Sequence, residues 1–383
     1  MAWTRYQLFL ALVMVVTGSI NTLSTKWADT LEAKGRDGIV RKFDHPFFQA
    51  TCMFFGEFLC FVVFKILYKA FSRSANGTED VHELTKGNRD FNQFKLVLPA
   101  MLDMTSTSLM YIGLNLTYPS SFQMFRGAVI VFVGILSVTF LERVLKKREW
   151  SGIFLVILGL TVVGLADFMT NDPDAESHGK NDIITGDLLI IMAQVITAAQ
   201  MVIEEKFVSG LDIPPLQAVG WEGIFGFVVL AFLQIPFYFI MVPPPFASND
   251  RGALEDALDA LVQMGNNYRL VISIIGTILS IAFFNFAGIS VTKEMSATTR
   301  MVLDSVRTIV IWILSLGFSW QQFHWLQLLG FSFLLFGMCL YNGITCVPCV
   351  VYVRNRVSNL RYRHVNEDVV ENRAADEAFD STA

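Results

Sequence analysis

The chain has 383 residues, 53% of them hydrophobic and 16% charged, with a net charge of −5. A soluble domain carries about 25% charged residues. Here the apolar excess falls into blocks of roughly 20 residues, the length that crosses a bilayer as a helix. That distribution excludes a soluble enzyme, a nucleic-acid binder and a secreted domain. The small negative charge offers a polyanion nothing to hold, and five cysteines, mostly inside apolar runs, build no disulfide framework.

Ten spanning helices are predicted, at 5–25, 47–68, 94–115, 120–141, 150–169, 186–207, 217–241, 270–291, 298–318 and 324–345. Helix is the reading because lipid supplies no hydrogen-bond partners to a backbone. The first block runs from Arg5 through an apolar stretch, Tyr6 to Val16, into Thr17-Gly18-Ser19, a pattern shared with signal peptides. Between the seventh and eighth blocks, Pro243-Pro244-Pro245 precedes Leu254-Glu255-Asp256-Ala257-Leu258-Asp259-Ala260-Leu261, which reads as a short interfacial helix. Cys346 and Cys349 sit at the edge of the last block. The tail, 346–383, is basic and then acidic without apolar periodicity, and is predicted to be disordered.

Lysine and arginine counts set the orientation. With the N-terminus in the cytosol, the cytosolic segments hold 19 of them and the opposite side 8; Arg126 and Arg307 lie within helices. Arg143, Lys146, Lys147 and Arg148, in one short loop, give the strongest single signal. Both termini are therefore expected in the cytosol, and the Asn76-Gly77-Thr78 sequon faces it unglycosylated.

The sequence repeats itself. Thr17 and Lys26-Trp27 match Thr197 and Lys206-Phe207 at an offset of 180. Pro46-x-x-Gln49-Ala50 matches Pro214-x-x-Gln217-Ala218, and each is followed by an intramembrane glutamate, Glu57 and Glu222. Ile135-Leu136-Ser137 matches Ile313-Leu314-Ser315, and Gly152 and Gly159 match Gly330 and Gly337, both at an offset of 178. The chain therefore reads as an all-α polytopic membrane protein: ten transmembrane helices as two inverted five-helix repeats, 1–180 and 181–345. The first block, having a mate in the second half, is a retained span. Five is odd, so two copies must sit in opposite orientations, the arrangement of alternating-access carriers with a site near the midplane.

A charge at the centre of a spanning helix costs about 2.5–3.5 kcal/mol on insertion scales. The central ones are Glu57, Arg126, Glu222, Asp304 and Arg307. Arg126 and Asp304 fall at equivalent positions of the repeat, with opposite sign. Arg300, Asp304 and Arg307 make a stripe at spacings of four and three, which cannot face lipid. Arginine suits planar oxyanions, so a carboxylate- or phosphate-bearing solute is expected. Glu57 and Glu222 are proton-coupling candidates. Asp103, Asp187, Glu204, Glu205, Lys206, Lys293 and Glu294 lie nearer helix ends, where snorkelling or capping is the expectation.

The stretches Ser121-Phe122-Gln123-Met124-Phe125-Arg126-Gly127-Ala128, Gly186 to Gln194, Glu204-Glu205-Lys206-Phe207, Phe283 to Gly288 and Thr298 to Ser305 resemble the drug/metabolite transporter superfamily. Within it the chain is similar to the nucleotide-sugar-transporter-like solute carrier family 35, subfamily F, over about residues 1–345. The resemblance implies ten helices, two inverted halves, cytosolic termini, a central solute cavity and a lysosomal or other endomembrane address, with mitochondria second. In carriers of GDP-mannose a Phe-Tyr-Asn-Val motif reads the base and a Gly-Ala-Leu-Asn-Lys motif holds sugar and phosphate. Phe283-Phe284-Asn285-Phe286 partly matches the first, and Leu303 to Arg307 stands in place of the second, keeping only a terminal cation. Asp304 there would oppose a diphosphate, which argues against GDP-mannose itself.

The expected substrate-binding residues are thus Arg126, Gln123, Asn285, Lys293, Thr299, Asp304 and Arg307. The partners are a small, anionic organic solute of nucleotide-sugar or related type and the lipid bilayer. Tyr362-Arg363-His364-Val365 fits a sorting-adaptor signal, and a homodimer is left open. No G-x-S-x-G, P-loop or H-E-x-x-H motif is present, so no enzyme, cofactor or metal is expected. The competing reading is a membrane scaffold or regulator of another carrier that transports nothing itself.

Overall fold

The structure, a computed structural model, describes residues 4–74, 87–117, 122, 124–140, 142, 144–169, 180–243, 252–317 and 325–342. The predicted segments fall on α1 (Arg5–Thr30), α2 (Pro46–Ser74), α3 (Val97–Leu116), α4 (Val129–Phe140), α5 (Lys147–Met169), α6 (Lys180–Gly210) and α7 (Pro215–Phe239). After a short α8 (Ala257–Asn266) they continue as α9 (Tyr268–Glu294), α10 (Ala297–Gly317) and α11 (Trp325–Asn342). Among the described residues, seven helices (α1, α2, α3, α5, α6, α7 and α9) are long and apolar enough to cross a membrane. The chain is therefore a multi-pass α-helical membrane protein. The apolar stretches Arg126–Phe140 and Trp325–Tyr341 are shorter, and α10 carries Arg300, Asp304 and Arg307.

Local sequence explains the helix ends. Thr4 accepts from the Gln7 N–H at 3.2 Å while its own N–H donates to Gln7 Oε1 at 3.0 Å, a reciprocal cap on α1. Pro215 opens α7, where its missing N–H costs nothing. Arg126–Ala128 form a 3₁₀ turn that runs into α4, so α-geometry is interrupted at the arginine.

Much of the outside is apolar. Leu8, Leu12 and Val16 on α1, Phe232, Ile235 and Phe239 on α7, and Ile272, Ile275 and Leu279 on α9 form exposed stripes at helical spacing. The opposite face of α1 buries Asn21 and Thr25. This is the distribution expected where the solvent is lipid and polar groups must find partners within the bundle.

The most extensive helix pairs are α5 with α11, α1 with α9, α2 with α7 and α3 with α6, and α4 packs on α10. Each takes one helix from either side of residue 180. Glycines bring α5 and α11 together: a Cβ at Gly152 would strike the Gly337 carbonyl, and one at Gly159 the Gly330 carbonyl. Numbers rise along one helix as they fall along the other, so the pair is antiparallel. The α1–α9 pair is held by Asn21 donating to the Thr277 carbonyl at 3.2 Å and Ser273 to the Ser24 carbonyl at 2.6 Å, also antiparallel. Thr117, beyond α3, donates to Asp187 of α6 at 2.5 Å. A central apolar cluster includes Val129, Ile130 and Val133 of α4, Val156 and Val163 of α5, and Leu334 and Met338 of α11.

One element lies outside the all-α expectation. Between α1 and α2, β1 (Glu32–Lys34) pairs antiparallel with β2 (Val40–Lys42), Ala33 opposite Arg41. It packs against α8, where Leu258 and Leu261 point outward, while Asp259, Ala260 and Gln263 are buried. The outward leucines agree with an interfacial helix. The polar side is buried because it meets charged partners from the hairpin rather than water.

Candidate functional site

The bundle surrounds a cavity of about 510 Å³ lined from α1, α2, α3, α4, α6, α7, α9 and α10. It extends from Arg300 and Glu222 to Lys42–Pro46, the segment joining β2 to α2. Glu57, Arg126, Glu222, Asn285, Asp304 and Arg307 all line it. The costly intramembrane charges read from the sequence therefore face one chamber and not lipid.

One wall is basic. Asp304 stands between two arginines, Arg126 Nη2 at 3.7 Å and Arg307 Nη2 at 2.7 Å. Arg307 Nη2 is buried and, beyond this ion pair, has no hydrogen-bond partner among the described residues. Arg307 lies over the Phe284 ring, 4.6 Å from its centre, and fills the space that Gly18 leaves on α1. One carboxylate is thus shared by two guanidiniums, leaving one positive charge in excess.

The other wall is acidic. Glu57 accepts a hydrogen bond from the Asn285 amide. Thr107 reaches Asp103 at 3.5 Å. Glu222, 5% exposed, has its Oε1 buried without a hydrogen-bond partner among the described residues. Arg300 is within electrostatic reach of Glu57, Asp103 and Glu222 but donates to Glu204 Oε1 at 2.6 Å. Gly288 makes room for its guanidinium.

The remaining predicted site residues fall elsewhere. Lys293, at the end of α9, pairs with Asp212 at 2.7 Å and does not line the cavity. Thr299 bonds Ser296 at 3.1 Å within the first turn of α10, where it serves the helix start. Gln123, the sequon, Cys346 and Cys349, and the tail with Tyr362–Val365 lie outside the described residues. Conversely, Asp103 and Arg300 join the cavity. Glu204, expected near a helix end, is fully buried because α6 continues to Gly210. The stripe of Arg300, Asp304 and Arg307 was a usable signal for Arg300. Nothing local marks Asp103, whose burial depends on distant helices.

Beside the Lys42–Pro46 end sits a buried ion cluster. His45 Nδ1 meets Glu255 Oε1 at 2.7 Å and its Nε2 lies 3.4 Å from Asp259 Oδ2. The other Glu255 oxygen accepts the Phe47 and Phe48 N–H groups, capping α2 from 208 residues away. Arg41 donates to Asp259 at 2.8 Å. Burial alone would lower the His45 pKa, but its bonds to Asp259 and Glu255 prevail and hold it at about 9. Burial would likewise raise Asp259, yet bonds from His45, the Arg36 N–H, Arg41 and Gln263 hold it well below the usual carboxylate range. A raised histidine pKa stabilises the fold fully below about 6.5, and that contribution is lost as pH rises through the folded value. The lowered Asp259 pKa stabilises above about 3.9 and fails only in stronger acid. The cluster should thus survive acidic conditions and loosen in alkali. Proteolytic nicking within 253–267 should stay low from about pH 5 to 8 and climb towards pH 10, and His45→Gln should flatten that rise. Equal nicking at both ends of the range would refute the ion-cluster account.

A multi-pass helical bundle around a charge-lined cavity is an architecture suited to a solute carrier, and the relatives of this chain are solute carriers. The family model for nucleotide-sugar transporters matches residues 4–213. Solute carrier family 35 member F6 from Homo sapiens is 54% identical over 345 residues, 90% of this chain and 91% of that protein. The Mus musculus member F6 is 53% identical over 90% of each chain. The UDP-galactose transporter of Schizosaccharomyces pombe is 26% identical over 43% of this chain and 46% of its own. A solved crystal structure, 12% identical, aligns with a TM-score of 0.51 over 88% of this chain and 96% of that one, a likeness of fold alone. The protein belongs to the nucleotide-sugar transporter family, within solute carrier family 35, subfamily F.

Proposed function

We propose that this protein is a secondary transporter that moves a small organic solute with an anionic group, of nucleotide-sugar or related metabolite type, by alternating access. The observation that carries the reading is the Arg126–Asp304 pair. It joins equivalent positions of the two sequence repeats in the lining of one cavity. The helix pairing supports two inverted five-helix halves, 1–180 and 181–345. Exchanging the halves sends α1 to α6, α2 to α7, α3 to α9, α4 to α10 and α5 to α11. The α1–α9 pair then becomes α6–α3, while α2–α7, α4–α10 and α5–α11 map onto themselves. The glycine crossing behaves alike: Gly152 against Gly337 becomes Gly330 against Gly159. Two such halves can rock about the midplane.

Arg126 and Arg307 receive the anionic group, their shared Asp304 serves as counter-charge when the site is empty, and Asn285 lends a polar contact. Glu57 and Glu222 are placed to exchange protons with the cavity. The break from α-geometry at Arg126 is the kind of interruption found where a transporter helix lines its site. We place the protein in a lysosomal or related endomembrane, with Tyr362–Val365 as the adaptor signal.

The test is comparative metabolite profiling of isolated organelles with and without the protein, followed by uptake of whatever accumulates into proteoliposomes. Uptake should fall to background with Arg126→Gln. No solute-dependent uptake, together with normal cells carrying Arg126→Gln, would leave the scaffold reading in its place.

A further inference from the structure

We propose that the transported solute carries a cationic amine as well as an anionic group, and that Glu222, Glu57 and Asp103 receive the amine. This rests on the transport reading above and names the substrate class of the same cavity. Among the lining carboxylates at this wall, none is matched by its own cation. One arginine, Arg300, serves all of them: it bonds Glu204 at 2.6 Å and reaches Glu57, Asp103 and Glu222 only through its field. Glu57 has the Asn285 amide, Asp103 a long 3.5 Å contact with Thr107, and Glu222 Oε1 no donor among the described residues. Glu222 is 5% exposed and lines the chamber, so a buried acceptor without a protein donor among the described residues borders the space a solute would fill.

An ammonium supplies three donors from one atom and suits a set of carboxylates poor in donors. A second anion there would meet repulsion instead. Further along α10, Asp304 and Arg307 meet Arg126, and that group carries one excess positive charge. The two poles are spaced by α10 itself. From Arg300, beside the acids, to Asp304 and Arg307 is four and seven residues, about 6 and 10 Å at about 1.5 Å per residue. A solute with its amine and its carboxylate or phosphate about 6–10 Å apart would satisfy both walls at once. A purely anionic solute would leave the acidic wall unmatched.

The experiment uses the purified full-length chain in lipid nanodiscs and three probes of equal length: 8-aminooctanoate, octanedioate and 1,8-diaminooctane. Binding is read as the shift of the thermal unfolding midpoint with probe concentration. The amino acid should bind about tenfold more tightly than either the diacid or the diamine, the size expected of one charge-assisted hydrogen-bond set. Glu222→Gln, nearly the same shape, should erase the advantage over the diacid, by weakening the amino acid and easing the repulsion that the diacid meets. Arg126→Gln should weaken both carboxylate probes together. A wild-type chain that binds the diacid as well as the amino acid, or binds neither, overturns the proposal. So does a Glu222→Gln chain that keeps the tenfold ratio, since the acids would then serve only proton exchange. Failure of the transport reading would be seen separately, as absent uptake in proteoliposomes, and does not alter this ratio.

Discussion

Asp304→Asn is expected to destabilise the protein by about 3–5 kcal/mol, the range for breaking a buried ion pair by removing one partner. The substitution keeps shape, so no cavity forms and the effect is one of charge. Asp304 is the carboxylate between Arg126 at 3.7 Å and Arg307 at 2.7 Å, with side chains 19%, 13% and 3% exposed in the order Arg126, Asp304, Arg307. Removing its charge leaves two guanidiniums facing each other in a low-dielectric chamber. The measurement is denaturant or thermal unfolding in detergent. A shift within about 0.5 kcal/mol, as for an ordinary surface substitution, would show that water or counter-ions already screen the group.

The double variant Arg126→Gln/Asp304→Asn gives the sharper test. Taking both charges out together is often neutral, because neither is left alone. The double variant should therefore be more stable than Asp304→Asn by itself, with a coupling of about 0.5–3 kcal/mol. It should also lose uptake, since Arg126, one of the two guanidiniums that meet the solute, is gone even though Arg307 keeps the group at one positive charge. Stability and transport would then move in opposite directions along one pair of substitutions, which a merely structural salt bridge does not predict.

The sequence carried the parts of this site that physics makes expensive. Blocks of apolar residues placed the helices, and charges inside them had to face inward, so Glu57, Arg126, Glu222, Asp304 and Arg307 were legible before any coordinates. Gly152, Gly159, Gly330 and Gly337 were legible as a repeat, and the fold packs them against one another. What was not legible depended on distant partners. Glu204-Glu205-Lys206 looks like a helix end, but α6 runs on to Gly210, which buries Glu204 beside Arg300. Lys293 was expected to bind the solute, but it reaches Asp212 at 2.7 Å on the partly exposed turn after α6. The pattern of α8 identified an apolar side and not which side is buried. That choice belongs to His45 and Arg41, more than 200 residues earlier in the chain.

Arg300→Gln should be more damaging still. Arg300 is 5% exposed, its partner Glu204 is fully buried, and Glu57, Asp103 and Glu222 are close enough to act on it electrostatically. Neutralising the cation strands Glu204 and removes the charge that offsets three further carboxylates, so the cost should reach or exceed the upper end of about 3–5 kcal/mol. Glu204→Gln is the informative contrast. It leaves Arg300 with the other acids still in reach and an amide oxygen still to donate to, so about 1–3 kcal/mol is expected. Yield of monodisperse protein and the unfolding midpoint should therefore rank Glu204→Gln well above Arg300→Gln. The reverse order would mean that the acids are held neutral and that Arg300 balances Glu204 alone. Arg300→Lys separates charge from shape. A lysine keeps the positive charge but loses the planar fork that bonds Glu204 at 2.6 Å while resting against Gly288. It should fall between the other two variants, because field and geometry each supply part of what the buried arginine does.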